Sequence, residues 1–417
     1  MSSRPTPKVA ARPEPAGRPT PLPEPLAYRM KRALLGPPLV TDRLSEERLS
    51  KPIALGVLAP DMISSTAYGS EEMLYELIPA MGVLAYSLLM PITFTVLGVL
   101  FFVTLSYREV VTVYTRAGGA YVVARENFGP RLAQVAAAAL IIDYIVTVAV
   151  QTVAGTDALT SAFPVLATGK LMLPITLAVI ALLTYGNLRG IREAGRTFAL
   201  PMYLFTFSVG GVVIVGLVEA LTGQLHRHRI DLPGAVHLVG PQPHPNGLLM
   251  GATLFVVLKA FANGGSSLTG LEAISNGVAT FRRPEGINAR RVLVIMSCIL
   301  GSLVLGVSFL AWKTHAVPFI AGTPTVLSQE AGYVFGSGVV GRVGFYAVQF
   351  STMLILWTGR TRATTASPTS PASSPPTPSC PARSCAAATA SSSRTASSCS
   401  PSSPPPSCWS PTPVSTR

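Results

Sequence analysis

The chain has 417 residues, of which 49% are hydrophobic and 12% are charged, and its net charge is +13. Because a typical soluble domain carries about 25% charged residues, this composition excludes an ordinary soluble enzyme and predicts an all-α, polytopic membrane protein. The arginines stand at the ends of apolar runs, which is typical of membrane topology and argues against nucleic acid as a partner.

The first 50 residues are rich in Pro and Arg and predict a disordered, basic cytoplasmic arm without the apolar core of a cleavable signal peptide. Residues 51–359 form the predicted transmembrane domain, because their apolar runs approach or exceed the ~20 residues that cross a bilayer. We predict about eight spans, at roughly 53–80, 84–105, 133–157, 171–188, 198–221, 247–280, 291–312 and 343–359.

The orientation follows from the basic residues between the spans. The connections at 106–132, 189–197 and 281–290, together with Arg291, carry eleven arginines, whereas the connections on the other side carry five Lys or Arg residues. Basic residues accumulate on the cytoplasmic side. The bias therefore predicts a cytoplasmic N-terminus, and the ten Lys and Arg residues within 1–51 agree with it.

Two of the predicted spans are interrupted by small and hydroxyl residues. The first is interrupted at residues 64–69 (SSTAYG) and the sixth at 264–270 (GGSSLTG). Irregular backbone at membrane depth survives only where it is buried or lines a cavity, and paired broken helices mark the binding site of inverted-repeat transporters. The alternative is that these small residues serve only close helix packing. The interrupting positions of interest are Ser64, Ser65, Gly69, Gly264, Gly265 and Gly270.

Three carboxylates fall inside the predicted spans, where ionisable side chains are costly and usually functional. They are Asp61 before the first interruption, Asp143 in the third span and Glu272 after the second interruption. Asp143, Thr147 and Gln151 are spaced four residues apart and share one helix face. This polar stripe predicts a face turned into the protein; the alternative is that its side chains only form hydrogen bonds between helices.

The hydroxyl groups of Tyr68, Thr147 and Thr269 would complete an oxygen-rich, anionic site. Hard monovalent cations prefer oxygen ligands, and buried carboxylates can take up protons. An amino acid substrate needs free N–H groups at a half-helix N-terminus, and nearby acids would repel its carboxylate. The acids therefore favour a cation over an amino acid. Glu71 and Glu72 either cap the outer half-helix or form a vestibule that attracts cations.

No nucleophile elbow, phosphate loop or zinc motif is present in the sequence, so we expect neither an enzyme nor a cofactor, and no metal beyond the monovalent cation. Residues 360–417 differ from the rest: besides Trp409 and Val414 they contain only Ala, Ser, Thr, Pro, Arg and Cys. These residue types mostly have C or G at the second codon position, the pattern that a one-base shift produces in a GC-rich gene. We therefore predict a frameshift near Trp357–Arg360; the alternative is a natural disordered Ser/Pro/Ala-rich tail.

Several motifs resemble those of a known family. Residues 61–69 (DMISSTAYG) resemble the broken first helix of the amino acid–polyamine–organocation (APC) superfamily, and residues 116–121 (RAGGAY) resemble its cytoplasmic signature. Within that superfamily, residues 143–150 (DYIVTVAV) and 267–276 (SLTGLEAISN) are most similar to the KimA-like branch of the KUP potassium transporters. The resemblance covers residues 32 to about 358.

The resemblance implies a five-plus-five inverted-repeat transporter fold with broken helices 1 and 6, truncated after about eight spans because the family's later helices are missing. It implies proton-coupled potassium uptake in the bacterial cytoplasmic (inner) membrane, with K+, H+ and the lipid bilayer as partners and a homodimer for the full-length form. Gln151 departs from the family, in which a small hydroxyl residue is usual. The alternatives are an amino acid/proton symporter and a truncated, non-transporting fragment. The implied site residues are Asp61, Tyr68, Asp143, Thr147, Thr269 and Glu272.

Overall fold

The computed structural model describes residues 48–116, 118–167, 169–188, 195–237 and 252–359. The predicted tail, residues 360–417, lies outside the described residues, as does the arm up to residue 47. In the part of the chain that is described, helices dominate, and the extended pairings are isolated bridges of Leu49 with Phe281 and of Ala235 with Phe319.

The helices follow one another with short connections. In chain order they are α1 (Lys51–Leu58), α2 (Pro60–Ile63), α3 (Gly69–Met81), α4 (Ala85–Val113), α5 (Gly119–Phe128), α6 (Pro130–Ala162), α7 (Gly169–Leu188), α8 (Gly195–Thr222), α9 (Leu254–Gly265), α10 (Glu272–Asn276), α11 (Glu285–Thr314), α12 (Val326–Phe335) and α13 (Val339–Thr358). Short 3-10 turns occupy Ser64–Ala67, Gly82–Leu84, Pro164–Ala167, Ser266–Leu268 and Val278–Thr280.

Within the described ranges, six helical segments are long and apolar enough to cross a membrane. One of them, Pro60–Val113, has 54 residues and is divided by the 3-10 turn Gly82–Leu84, so it holds the first two predicted spans. The fourth predicted span corresponds to a shorter apolar helix, Lys170–Tyr185. Each of the eight predicted spans therefore overlaps a helix, and the all-α, polytopic membrane fold predicted from the sequence is confirmed.

The core is formed by α4 against α11, α6 against α13, α3 against α9 and α1 against α8. One large cluster of buried apolar side chains runs through the centre and includes Met62, Phe205, Ile274 and Leu300. The exposed surface is also apolar: on α6, Ile142 is 62% exposed. An apolar outer surface around a packed interior is what a lipid environment requires, because lipid tails solvate such side chains as well as a protein core does.

Residues 48–50, the last of the predicted arm, pair with the loop that precedes α11. The Leu49 N–H donates to the Thr280 carbonyl at 2.8 Å, and the Arg282 N–H donates to the Leu49 carbonyl at 3.3 Å. Arg48 forms an ion pair with Glu285 in the first turn of α11. These contacts hold the start of α1 beside the end of the sixth predicted span. The beginning of the first interrupted segment therefore lies close to the end of the second one.

Candidate functional site at the two helix breaks

The first break lies between α2 and α3 and is produced by serine hydroxyls that bond to the chain itself. Ser64 Oγ donates to the Asp61 carbonyl at 3.1 Å, and Ser65 Oγ lies 2.5 Å from the Met62 carbonyl. Such bonds to the carbonyl three residues back compete with the helical ladder. The helix therefore tightens into the 3-10 turn Ser64–Ala67, and Tyr68, with φ −124°, leaves the helical conformation before α3 begins.

The second break repeats this chemistry between α9 and α10. Ser267 Oγ donates to the Gly264 carbonyl at 2.6 Å, and Thr269 Oγ1 donates to the Ser266 carbonyl at 3.0 Å. Thr269 is extended, and Gly270 has a φ of +92°, a conformation that residues with a Cβ rarely adopt. The interruption predicted from the sequence is thus a break in the helical backbone at Thr269 and Gly270, and not only a small-residue packing face.

The two breaks contact each other directly. Ser65 Oγ lies 2.7 Å from the Ser267 carbonyl, 202 residues away along the chain. A Cβ placed on Gly69 would lie 2.9 Å from the Ser267 Cβ, and one on Gly270 would lie 2.8 Å from the Met62 nitrogen. Both glycines are therefore required by the close approach of the two backbones.

The other two predicted glycines of the second break differ from each other. A Cβ on Gly264 would lie 2.7 Å from the Met73 sulfur on α3, whereas a Cβ on Gly265 would meet nothing within 4 Å. Gly265 has an ordinary helical φ of −63°. Only Gly264 thus contributes to the packing of α9 on α3.

Asp61 and Gln151 meet at this junction. Gln151 Nε2 lies 2.8 Å from Asp61 Oδ1, 3.2 Å from the Asp61 carbonyl and 3.3 Å from Ser64 Oγ. Both side chains are buried, with 3% of Asp61 and 1% of Gln151 exposed. Gln151 Oε1 is also buried and accepts no hydrogen bond from the described residues. The residue that departs from the family pattern therefore lies beside the carboxylate and presents a carbonyl oxygen there.

The stripe on α6 has the orientation expected from its spacing. Thr147 and Gln151 are buried, whereas Ile145 on the neighbouring face is 66% exposed. Asp143, two helical turns before Gln151, is only half-buried and takes no part in the hydrogen bonds that join the two breaks. The structure thus brings Asp61 and Gln151 together and places Asp143 farther along the same helix.

Glu272 begins α10 and is half-buried. It lies close enough to Tyr107 of α4 to act on it electrostatically. One turn later, Asn276 Nδ2 donates to the Tyr144 hydroxyl at 2.6 Å, which ties α10 to α6 next to Asp143. This hydrogen bond joins the two helices that carry Glu272 and Asp143.

Several ionisable side chains in contact with each other were not singled out from the sequence. Lys259 Nζ lies 2.7 Å from Glu76 Oε2, and this ion pair joins α9 to α3. Asp157 and Glu330 lie near Glu71 and Glu72 at one end of the fold. Asp157 was predictable, because it follows Asp143 by fourteen residues and so falls on nearly the same face of α6.

In the described part of the chain, no group of three acidic, histidine or cysteine side chains is arranged to hold a metal ion. What the junction offers instead is a carboxylate, an amide carbonyl, serine hydroxyls and the backbone carbonyls of two 3-10 turns. These are neutral or singly charged oxygen ligands of the kind that suits a large monovalent cation.

Comparison with known proteins agrees with this arrangement. Residues 61–373 match the amino acid permease family. The chain is also 38% identical over 329 residues to the potassium transporter KimA of Bacillus subtilis (strain 168), an alignment that covers 79% of this chain and 51% of that protein. The chain thus spans about half the length of this curated relative. It belongs to the amino acid permease family of the APC superfamily, in its KimA-like branch.

Proposed function

We propose that this chain, in its full-length form, is a proton-coupled potassium uptake transporter whose cation site lies at the junction of the two helix breaks. The observation that carries the proposal is the buried Asp61 carboxylate, held where the two 3-10 turns meet and next to the Gln151 amide. Ionisable side chains at membrane depth are rare and usually functional. The Asp61 carboxylate and the Gln151 Oε1 atom would be two oxygen ligands of a bound cation.

The relative named a potassium transporter supports K+ as the cation. The oxygen set also fits: K+ is a hard, weakly hydrated ion that protein carbonyl and hydroxyl groups can take over from water. In the proposed cycle, the two broken segments α2–α3 and α9–α10 move together against α6 and the helices packed on it. This motion exposes the junction to one side of the membrane at a time. The arginine bias assigns the N-terminus and the α5 region to the cytoplasm.

An amino acid substrate is the competing proposal, and the acids at the junction argue against it. The first turn of α3 is the half-helix N-terminus that would bind a substrate carboxylate, but it carries Glu71 and Glu72. Their charge opposes the attraction of the helix dipole for an anion. Asp61, on the other side of the break, adds to this repulsion.

Uptake in a bacterial strain deficient in potassium transport tests the proposal. The gene is expressed in two forms, as the 417-residue chain and with the reading frame restored after Gly359. We expect the frame-restored form to rescue growth at low K+ and to lose rescue in Asp61→Asn, Asp143→Asn and Glu272→Gln. Glu109→Gln is the matched control, because Glu109 is an exposed acid near the end of α4 that pairs with Arg108.

The outcomes separate the three hypotheses. Rescue by the wild type and by Glu109→Gln, with loss in the junction variants, supports potassium transport. Uptake of labelled amino acids instead, abolished by changes in 264–270, supports the symporter. Failure of the 417-residue form in both assays supports the third hypothesis, a truncated, non-transporting membrane fragment.

A further inference from the structure

A second group of carboxylates includes one at the end of the first break and two on α6 and α12. Glu71 is in the first turn of α3, Asp157 is near the end of α6, and Glu330 is in the middle of α12. Asp157 follows Gln151 by six residues, which is about 9 Å along the helix axis at 1.5 Å per residue. The arginine bias assigns this end of α6 to the outer side. The group is called the outer carboxylates below.

Glu330 is the unusual member of the outer carboxylates. Its side chain is 0% exposed, and neither carboxylate oxygen has a hydrogen-bond partner among the described residues. Asp157 Oδ1 is likewise buried and accepts no hydrogen bond there. An ionised carboxylate in such a place costs several kcal/mol of lost hydration unless it is paired. Whether Glu330 is ionised or protonated therefore depends on the charged groups around it.

Basic side chains do not pair with the outer carboxylates in the part of the chain that the structure describes. Neither Glu330 nor Glu71 nor Asp157 forms an ion pair with a Lys or Arg there, and the nearby Lys259 pairs with Glu76. The nearby charged group that acts on Glu330 is Glu71, which has the same sign. Glu71 in turn accepts a hydrogen bond from the Val326 backbone at the start of α12.

Other titratable groups lie on the elements that pack against α12, and in the described ranges none of them forms a hydrogen bond with Glu330. They are Glu72 and Glu76 on α3, Asp157 on α6, Glu219 on α8, Lys313 on α11, Arg342 and Tyr346 on α13, and His228, which stacks on Tyr333.

The loop before α12 covers Asp157, one of the outer carboxylates. A Cβ on Gly322 would lie 3.0 Å from Asp157 Oδ2, so the loop before α12 lies directly on that carboxylate. The same loop is fixed to α6, because Ser161 Oγ lies 3.1 Å from Thr323 Oγ1 and accepts from the Thr325 N–H at 3.1 Å. Little room is left for water to solvate a second negative charge.

We propose that Glu330 and Glu71 form a proton-binding pair, in which Glu330 carries a proton and Glu71 accepts a hydrogen bond from the start of α12. Two like charges in one buried place share a proton, because both cannot ionise without a counterion. A metal ion fits less well, since no three acidic side chains in the described ranges converge on one point. Burial raises the pKa of the Glu330 carboxyl well above its usual range, and the negative charge of the nearby Glu71 adds to this shift.

The pair links the proposed transport to protons. Glu71 lies at the start of α3, just after the first break, and Asp61 lies on α2, just before that break. A proton taken up at Glu330 and passed to Glu71 therefore arrives on the segment that moves with the cation site. This coupling role rests on the proposed function, whereas the proton on Glu330 does not.

Infrared spectroscopy of the purified 417-residue protein tests the proton directly. We expect carbonyl absorption of protonated, buried carboxyl groups at neutral pH, with a component that shifts in frequency in Glu330→Asp and is lost in Glu330→Gln. Glu109→Gln, the exposed control, keeps that component. Absorption that is unchanged in Glu330→Gln, or no such absorption in the wild type, overturns the proposal. These measurements need no transport, so their failure is distinct from failure of the proposed function.

A stability measurement covers the case of a poorly folding variant. Because the folded state holds a proton that the unfolded chain releases above about pH 4.3, the melting temperature of the wild type should fall as the pH rises from about 5 to 8. Glu330→Gln mimics the neutral acid, so it should melt at the same or a higher temperature at pH 8 and lose part of this slope. A lower melting temperature with an unchanged slope contradicts a proton on Glu330.

Discussion

Gly270→Ala is the substitution that tests the contact between the two breaks most sharply. Gly270 has a φ of +92°, and a Cβ there would lie 2.8 Å from the Met62 nitrogen and 3.0 Å from Asp61 Oδ2. A side chain in left-handed backbone costs about 1–2 kcal/mol. Forcing an extra carbon into a packed contact costs about 1–3 kcal/mol more. We therefore expect Gly270→Ala to destabilise the protein by about 2–5 kcal/mol.

The matched control lies five residues earlier. Gly265 has a helical φ of −63°, and a Cβ there would meet nothing within 4 Å. Alanine at such a helical position is expected to stabilise by about 0.5–1 kcal/mol, since glycine loses more backbone entropy on folding.

Thermal unfolding of the purified variants in detergent, followed by intrinsic fluorescence, compares the two. Gly270→Ala should lower the melting temperature while Gly265→Ala leaves it unchanged or raises it. Equal effects of the two substitutions would refute the close approach of the two breaks at Gly270.

Three further predictions follow from the same contacts. Ser65→Ala removes the hydroxyl that joins the breaks and should cost about 1 kcal/mol of stability. Ser302→Ala should cost less, because Ser302 is exposed and bonds only to its own helix. Equal losses of stability in urea unfolding would count against the bond between the breaks. Gln151→Leu removes both the Oε1 ligand and the 2.8 Å amide contact with Asp61, so it should lower K+ affinity and stability. Gln151→Ser keeps a smaller oxygen ligand and should lower K+ affinity less; binding isotherms that do not separate the two variants contradict this assignment. Resequencing the gene around codon 359 should reveal a one-base shift, after which the codons from Arg360 read Ala-Asn-Thr-Ser-Tyr-Asn-Gly-Phe-Pro; a confirmed reading frame would establish a natural tail.

The long helices and their interruptions could be predicted from the sequence because both signals are local. A run of apolar residues gives a span. Hydroxyl residues such as Ser64 and Ser267 within it give a break, since they bond to the preceding turn. The stripe of Thr147 and Gln151 was likewise visible, because a polar face on an apolar helix points inward.

The contacts between distant segments and the short helices could not be predicted in this way. The pairing of Ser65 with Ser267 depends on how the spans pack, which no local pattern records. Helices α5 and α12 fall within predicted connections. Each has only ten residues, and helices this short are stabilised mainly by packing, so their sequence signal is weak. Glu330 was missed for this reason, since its burial arises only after α12 packs onto α3 and α6.

Gln151 shows how a structure can change the meaning of a sequence difference. From the sequence it was a larger residue at a position where the family has a small hydroxyl group. In the structure, its amide contacts the carboxylate and the carbonyl of Asp61 and the hydroxyl of Ser64. The longer side chain therefore reaches the first break and contacts Asp61 itself.

Calorimetric titration of the purified, frame-restored protein with K+ tests the central claim most directly. The account predicts saturable K+ binding by the wild type and by Glu109→Gln, and loss of that binding in Asp61→Asn. Unchanged K+ binding in Asp61→Asn, or saturable binding of an amino acid with none of K+, would contradict a cation site at the junction of the two breaks.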